Sequence, residues 1–286
     1  YTKAVELYTM AVEQGHLDAM YNLARLYHTG RGVMQSHKKA AELYTMAVEQ
    51  GRAEAMYGLG CLYRYGEGVE QSYTKAVELY TMAVEQGDAD AMHGLGCLYR
   101  DGEGVEQSYT KAVELFTMAV EQGCLNAMYN LACLYQDGKG VEQSYTKAVE
   151  LYTMAVEQGR DVDAMYGLAC LYQLGKGVAQ SHEKAFELYT MAVEKGAHLG
   201  AMHGLACLYK DGEGVEQSYT NAFELYTSAA AQGHLDAMHN LARLYQTGRG
   251  CCMQSNKLAR KWWSRAANLG HELAFKALKA LNEEST

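Results

Sequence analysis

The chain has 286 residues, 49% of them hydrophobic and 21% charged, with a net charge of −9. Its longest apolar run, Ala164 to Tyr172, is nine residues, far short of the ~20 that cross a bilayer, so no membrane-spanning helix is expected. The acidic balance, with a pI near 5.6, argues against a nucleic-acid ligand, because phosphate binding needs a sizeable basic surface.

The sequence opens at Tyr1, inside a helical pattern, and residues 1–15 read as the second helix of an incomplete unit. A fragment lacking its natural N-terminus is expected, with any targeting segment lost and the compartment not legible from this end. From there the pair Ala-Met recurs at Ala19, Ala55, Ala91, Ala127, Ala164, Ala201 and Ala237, at spacings of 36 or 37 residues, and Ala274-Phe275 makes an eighth start. The nineteen residues Val69 to Gly87 return at Val105 to Gly123 and Val141 to Gly159 with one change, Tyr80 to Phe116. Self-similarity of this period means a stacked repeat architecture.

Each unit, taken in order, is a helix A followed by a helix B. Met56, Leu59, Gly60 and Tyr63 fall at i, i+3, i+4 and i+7, one face of a helix A. Gly66 stops that helix, and Gly68 with Val69 turns the chain. Proline is absent, so glycine must end the helices and shape the loops. Ser72 is placed to cap helix B, and serine holds that place in all seven units: Ser36, Ser72, Ser108, Ser144, Ser181, Ser218 and Ser255. Ala76, Leu79, Tyr80, Ala83 and Val84 supply the buried stripe of helix B, and Gly87 ends it. A lone hairpin cannot bury both apolar faces, so stability must come from stacking. The expected organisation is a single all-α solenoid over residues 1–286: an orphan helix B at 1–15, seven A–B pairs over 19–270, and a cap at 271–286. In the last helix Lys279 replaces Gly or Ala and Asn282 replaces Tyr, the polar outer face of a terminal cap, so the true C-terminus is expected here.

The elements Ala55, Leu59, Gly60, Tyr63, Gly66, Gly68, Val69, Lys75, Ala76, Tyr80, Ala83 and Gly87, repeated along nearly the whole chain, resemble the Sel-one-like repeat, a branch of the tetratricopeptide superfamily. That resemblance implies a right-handed α-α superhelix acting as a protein-binding adaptor. Relatives of this kind assemble multiprotein complexes in membrane-protein quality control, in signalling, or in bacterial action on host cells. Fold alone does not choose among these.

In tetratricopeptide-like stacks one face of helix A lines a concave groove. By that resemblance the groove here takes the residues two, six, nine and ten after each start alanine. They are Tyr21, Arg25 and His28; Tyr57, Cys61, Arg64 and Tyr65; His93, Cys97, Arg100 and Asp101; Tyr129, Cys133, Gln136 and Asp137. They continue as Tyr166, Cys170, Gln173 and Leu174; His203, Cys207, Lys210 and Asp211; His239, Arg243, Gln246 and Thr247. These positions vary between copies and are rich in Tyr, His and Arg, the composition of interaction hot spots. The alternative is a solvated face that touches only the next repeat. Arg25, Arg64, Arg100, Lys210 and Arg243 against Asp101, Asp137 and Asp211 make the groove slightly positive, so an acidic or aromatic-acidic partner segment centred on Arg64 and Arg100 is expected.

Five of the eight cysteines, Cys61, Cys97, Cys133, Cys170 and Cys207, share one repeat position. Equivalent atoms on stacked helices lie ~8–10 Å apart, too far for a disulfide. Free thiols and a reducing compartment are therefore expected, and no Asn-x-Ser/Thr acceptor occurs. Some bacterial relatives staple each hairpin with two cysteines per repeat, a framework this sequence does not repeat. Cys251 and Cys252 are expected to fill space in a loop. His93/Cys97 and His203/Cys207 are i, i+4 pairs, but a structural zinc needs four ligands, so no metal or other cofactor is expected. Gly66-Glu67-Gly68 and Gly138-Lys139-Gly140 follow helices, and the third glycine of a dinucleotide pattern is Gln71 or Gln143, so they read as helix terminators. No triad or carboxylate pair points to an enzyme or a small-molecule substrate. The functional expectation is a protein scaffold that binds a peptide or helix in its groove. The alternatives are a permanent subunit using its outer surface and, less supported by charge, a helical-repeat RNA binder.

Overall fold

A computed structural model describes residues 1–159, 161–250 and 253–283. Sixteen α-helices and no strand occur among them. They fall into two compact units, residues 1–143 and 144–286.

In the first unit, α1 (Thr2–Glu13), α3 (His37–Glu49), α5 (Tyr73–Glu85) and α7 (Tyr109–Glu121) are B helices. Their partners α2 (Leu17–Thr29), α4 (Ala53–Tyr65), α6 (Ala89–Asp101) and α8 (Leu125–Asp137) are A helices. In the second unit the B helices are α9 (Tyr145–Gly159), α11 (His182–Gly196), α13 (Tyr219–Ala231) and α15 (Asn256–Asn268). The A helices are α10 (Val162–Leu174), α12 (Leu199–Asp211), α14 (Leu235–Thr247) and α16 (Glu272–Glu283). The protein is an all-α helix-turn-helix solenoid. Helix A starts two residues ahead of the Ala-Met pair, with Arg52 as the N-cap of α4.

Each hairpin turn is built from the residues the repeat pattern singled out. Gly66 ends α4 at φ +70°, a left-handed cap that costs a residue without Cβ little. Ser72 then accepts a hydrogen bond from the Lys75 N–H at 3.3 Å. All seven serines cap in this way, at 3.2–3.4 Å. Gln71, met in sequence only as a missing glycine, closes the loop by donating its side-chain amide to the Arg64 carbonyl at 2.8 Å. Gln35, Gln107, Gln143, Gln180 and Gln217 do the same in their loops.

Burial follows the two stripes. In α5 Ala76, Tyr80 and Ala83 are buried, and in α4 Ala55, Met56, Leu59, Gly60 and Leu62. Leu79 and Val84, expected on the same stripe, are half-buried and pack at its margins. Junctions between hairpins depend on glycine. Gly68 has φ +72°, and a Cβ there would stand 2.3 Å from the His37 carbonyl carbon, so the loop after α4 lies directly on the first turn of α3. Gly104 packs on Tyr73 in the same manner.

The polar outer face expected of α16 is only partly present. Lys279 and Asn282 are exposed, and Asn282 accepts a hydrogen bond from Arg260 at 3.0 Å. Leu273 and Phe275 are exposed as well, at 58% and 62%. Phe275 occupies the place of buried Met238, which sits in one core cluster with Trp263 of the following helix B. No such helix follows α16 among the described residues.

Candidate functional site

Helix A delivers its variable positions onto the aromatic side chain that helix B buries beneath them. Tyr57 stacks on Tyr80 at 5.6 Å between ring centroids, with 30° between planes. Tyr80 fits because Gly60 and Gly94 leave room beside it; a Cβ on Gly60 would stand 2.6 Å from the ring. The pairing repeats as Tyr21–Tyr44, His93–Phe116, Tyr166–Tyr189, His203–Tyr226 and His239–Trp263, at 5.7–6.1 Å.

The cysteine ladder proves to be part of this inner layer. The Tyr80 hydroxyl donates to Cys61 Sγ at 3.3 Å, and Tyr189 and Tyr226 lie 3.3 and 3.1 Å from Cys170 and Cys207. Cys97, expected at the binding surface, is instead buried at 5% exposure, because its position turns toward the ring below. Burial pushes the Cys61, Cys97 and Cys207 thiols above their ordinary range, so they are neutral and poor nucleophiles. Cys61, Cys97, Cys124, Cys133, Cys170 and Cys207 are free thiols. Cys251 and Cys252 lie outside the described residues.

Part of the candidate set of the first unit lines two hollows. One, of about 510 Å³, is bounded by Tyr21, Arg25, His28, Tyr44, Glu54, Tyr57, Gly58, Cys61, Asp88 and Asp90. The other, of about 440 Å³, brings Arg100, Asp101, Tyr129 and Cys133 together with Gln107, Tyr109, Asn130, Leu134, Asp137 and Lys139. Tyr65 stands apart at 62% exposure, and Gln136 is half-buried. In the second unit Tyr166, Cys170, Gln173, His203, Cys207, Lys210, His239 and Gln246 are half-buried, and Arg243 is exposed. Gln173 accepts the Tyr189 hydroxyl at 2.8 Å, and His239 Nδ1 accepts the Trp263 indole N–H at 3.2 Å.

The slightly positive groove expected from sequence is corrected by its own ion pairs. Arg64 reaches Glu103 at 3.4 Å and Asp101 at 3.9 Å, and its side chain is only 16% exposed. Arg100 binds Asp101 at 2.7 Å and donates to Asn130 of the next repeat at 2.6 Å, and Lys210 binds Asp211 at 3.2 Å. Arg64 and Arg100 are therefore tied into the repeat junctions, and are not free cations at the centre of a contact. The larger hollow sets Arg25 against Glu54, Asp88 and Asp90, and so is acidic.

The two His/Cys pairs do come together, at 3.6 Å between His93 Nε2 and Cys97 Sγ and between His203 Nε2 and Cys207 Sγ. Each of those imidazole nitrogens also meets an amide, Asn130 at 2.9 Å and Asn240 at 3.0 Å. Burial holds His93 and His203 at about 4, well below the usual imidazole range. The place where three metal-ligating groups converge among the described residues is His28, His37 and Glu67. The sequence pattern does not announce it because the three lie nine and thirty residues apart on two repeats. The signal was there in principle: histidine replaces the usual residue at two repeat positions of one unit.

Comparison with known proteins agrees with the repeat reading. The Sel1 repeat model matches residues 1–16, 17–51, 53–88, 89–124, 125–159, 162–196, 200–234 and 235–271. Among solved structures, the chain is 30% identical to c5321, a protective antigen of uropathogenic Escherichia coli strains with an SLR fold. That likeness has a TM-score of 0.83 over 99% of this chain and 60% of the antigen, so the chain spans less than two thirds of that relative. A Sel1 repeat protein from Oxalobacter formigenes is 27% identical, with a TM-score of 0.76 over 86% of this chain and 96% of its own. Yeast Tom70 shares the fold, at 17% identity and a TM-score of 0.51 over 99% of this chain and 59% of its own. No curated protein sequence matches significantly.

Proposed function

The chain belongs to the Sel1 repeat family, and from that premise we propose that it helps assemble a multiprotein complex by holding a segment of a partner protein on the helix-A face. Sel1 repeat proteins are in general protein-interaction scaffolds, and their solenoid is typically non-catalytic. The observation that carries the proposal is the hollow of about 510 Å³, which gathers Tyr21, Arg25, His28, Tyr57 and Cys61 from two successive repeats. A floor of ordered aromatic rings with a charged rim suits the capture of one large side chain and its neighbours. The aromatic half of the expected partner keeps its support. The acidic half does not, since Glu54, Asp88 and Asp90 on the rim favour a lysine or arginine beside the anchoring residue.

A second reading, in which the outer surface is built permanently into an assembly, has one observation behind it. Met10, Met46, Met82 and Met118 recur at one helix-B position and are 40–57% exposed. Such a methionine row is an adaptable apolar surface. A photo-crosslinking residue placed at Arg25 or at Met82 separates the two readings. We expect the Arg25 position to capture a peptide from a protein partner and the Met82 position to capture none. Capture at Met82 alone would replace the groove reading with the outer-surface one.

A further inference from the structure

His28 lies in the last turn of α2, His37 is the first residue of α3, and Glu67 follows the left-handed glycine that ends α4. Two features of the loops bring them together. Gln35 ties the α2–α3 turn to the His28 carbonyl at 2.7 Å. Gly68 lets the next loop settle on the His37 backbone, which carries Glu67 to the imidazole. The two rings meet edge to face, with centroids 5.1 Å apart. His37 Nδ1 is 3.3 Å from Glu67 Oε2. One ligand atom from each of the three residues lies within 4.8 Å of the others.

Nδ1 of His28 and Nδ1 of His37 are shielded from solvent and make no hydrogen bond. The contact of His37 with Glu67 is therefore close in distance without hydrogen-bond geometry, so the nitrogen is aimed beside the oxygen. Two orphan imidazole nitrogens in one spot are costly and call for a partner.

The other repeats act as internal controls, because the same three positions recur. In the next unit they are Arg64, Tyr73 and Glu103, and the arginine closes on the glutamate at 3.4 Å. Later they are Lys210, Tyr219 and Arg249, and Arg249 donates to the Tyr219 hydroxyl at 3.0 Å. At His182 and Glu213, 3.5 Å apart, the residue in the place of His28 is Gln173. Two imidazoles and a carboxylate occur together only in the first case.

We propose that His28, His37 and Glu67 form a binding site for Zn²⁺ or a similar late first-row divalent ion, with a fourth position open to water or an incoming group. Tetrahedral bonds of ~2.1 Å place ligand atoms ~3.4 Å apart, the separation already present between His37 and Glu67. Small side-chain rotations close the remaining gap. Two neutral nitrogens and one carboxylate select against the oxygen-seeking Mg²⁺ and Ca²⁺. The ion clips the α2–α3 hairpin to the loop of the following repeat. Because His28 also lines the larger hollow, the open position stands at the edge of that hollow.

The test is a titration of the chelator-treated full chain with Zn²⁺ alone, against a chromophoric zinc indicator. His28→Arg and His37→Tyr install the residues found in the next repeat, and so should fold; Glu67→Gln removes the anionic ligand at a partly exposed site. We expect one ion per chain, a higher melting temperature with zinc, and at least about tenfold weaker binding in each variant, since even outer-shell changes cost that much. His182→Tyr, the control at the equivalent position, should leave affinity unchanged. Co²⁺ should give visible absorption bands that vanish in the His28→Arg/His37→Tyr chain. The proposal is overturned if the wild-type chain binds no zinc at micromolar concentration. It is equally overturned if the double variant binds as tightly, which would assign the ion to other histidines or thiols.

Discussion

Glycine at positive φ serves two different ends in this molecule, and the difference can be measured. Gly123 has φ +81° with open space where a Cβ would stand, whereas a Cβ on Gly104, at φ +72°, would lie 2.6 Å from the Tyr73 carbonyl carbon. Gly123→Ala should therefore cost only the conformational penalty, about 1 kcal/mol. Gly104→Ala adds a clash with backbone that cannot move aside, and should cost about 3 kcal/mol or more. Urea unfolding followed by circular dichroism checks both, and equal midpoints would sink the distinction. Sequence reading found both glycines as terminators and turns, since the pattern of glycine without proline forces that. It could not see that Gly104 is a junction, because the residue it meets belongs to the preceding hairpin. The cysteines were misread for the same kind of reason. Their shared position meets an aromatic hydroxyl of the following helix B, nineteen residues on, as Cys61 meets Tyr80 and Cys207 meets Tyr226.

Helices in this fold are specified locally and joined by side chains that reach across repeats. Serine caps, left-handed glycine ends and apolar stripes were all legible, because each rests on neighbours within a few residues. The ion pairs between hairpins were not: Arg64 and Glu103 are far apart in sequence, and nothing local announces their meeting. Arg64→Glu removes contacts to Glu103 and Asp101 and sets an acid against both in a position only 16% exposed. A loss of roughly 1–3 kcal/mol is expected, more than a solvent-exposed pair contributes. Combining it with Glu103→Arg should recover much of that loss, and a double-mutant cycle on the thermal midpoint would show it. No recovery would mean that packing of the arginine stem, and not its charge, is what matters. Charge reversal at Arg64 would therefore report on the stability of the repeat junction before it reported on partner binding.

At the scale of the whole chain, acid should act unequally on the two units. In the first unit His93 is held at about 4 and burial lowers His28; in the second both His203 and His239 are held at about 4 and burial lowers His234. These groups are neutral when folded and take a proton near 6.5 when unfolded, so the unfolded state binds more protons between those limits. The stability they provide is complete above about pH 6.5 and is lost as pH falls toward 4. Trp262 and Trp263, the two tryptophans of the chain, both lie in the second unit. On acidification tryptophan fluorescence should therefore change ahead of the helical signal of the whole chain. His203→Tyr, the residue Tyr166 at the equivalent position, should make the fall in stability shallower by roughly 1–3 kcal/mol. Coincident transitions with no effect of the substitution would refute this. The near-identity of α5 and α7, which differ only at Tyr80 and Phe116, has a consequence of another kind. The second glycine of the hairpin loop, as at Gly68, Gly104, Gly140, Gly177 and Gly214, meets the backbone of the first residue of the preceding helix B, so one hairpin presents its neighbour with almost the same surface as the next. Slippage or recombination that removed or added a whole unit would recreate a junction nearly the same as the one it disturbed. Copy number can thus drift without a foldability barrier, leaving selection to act on reach alone.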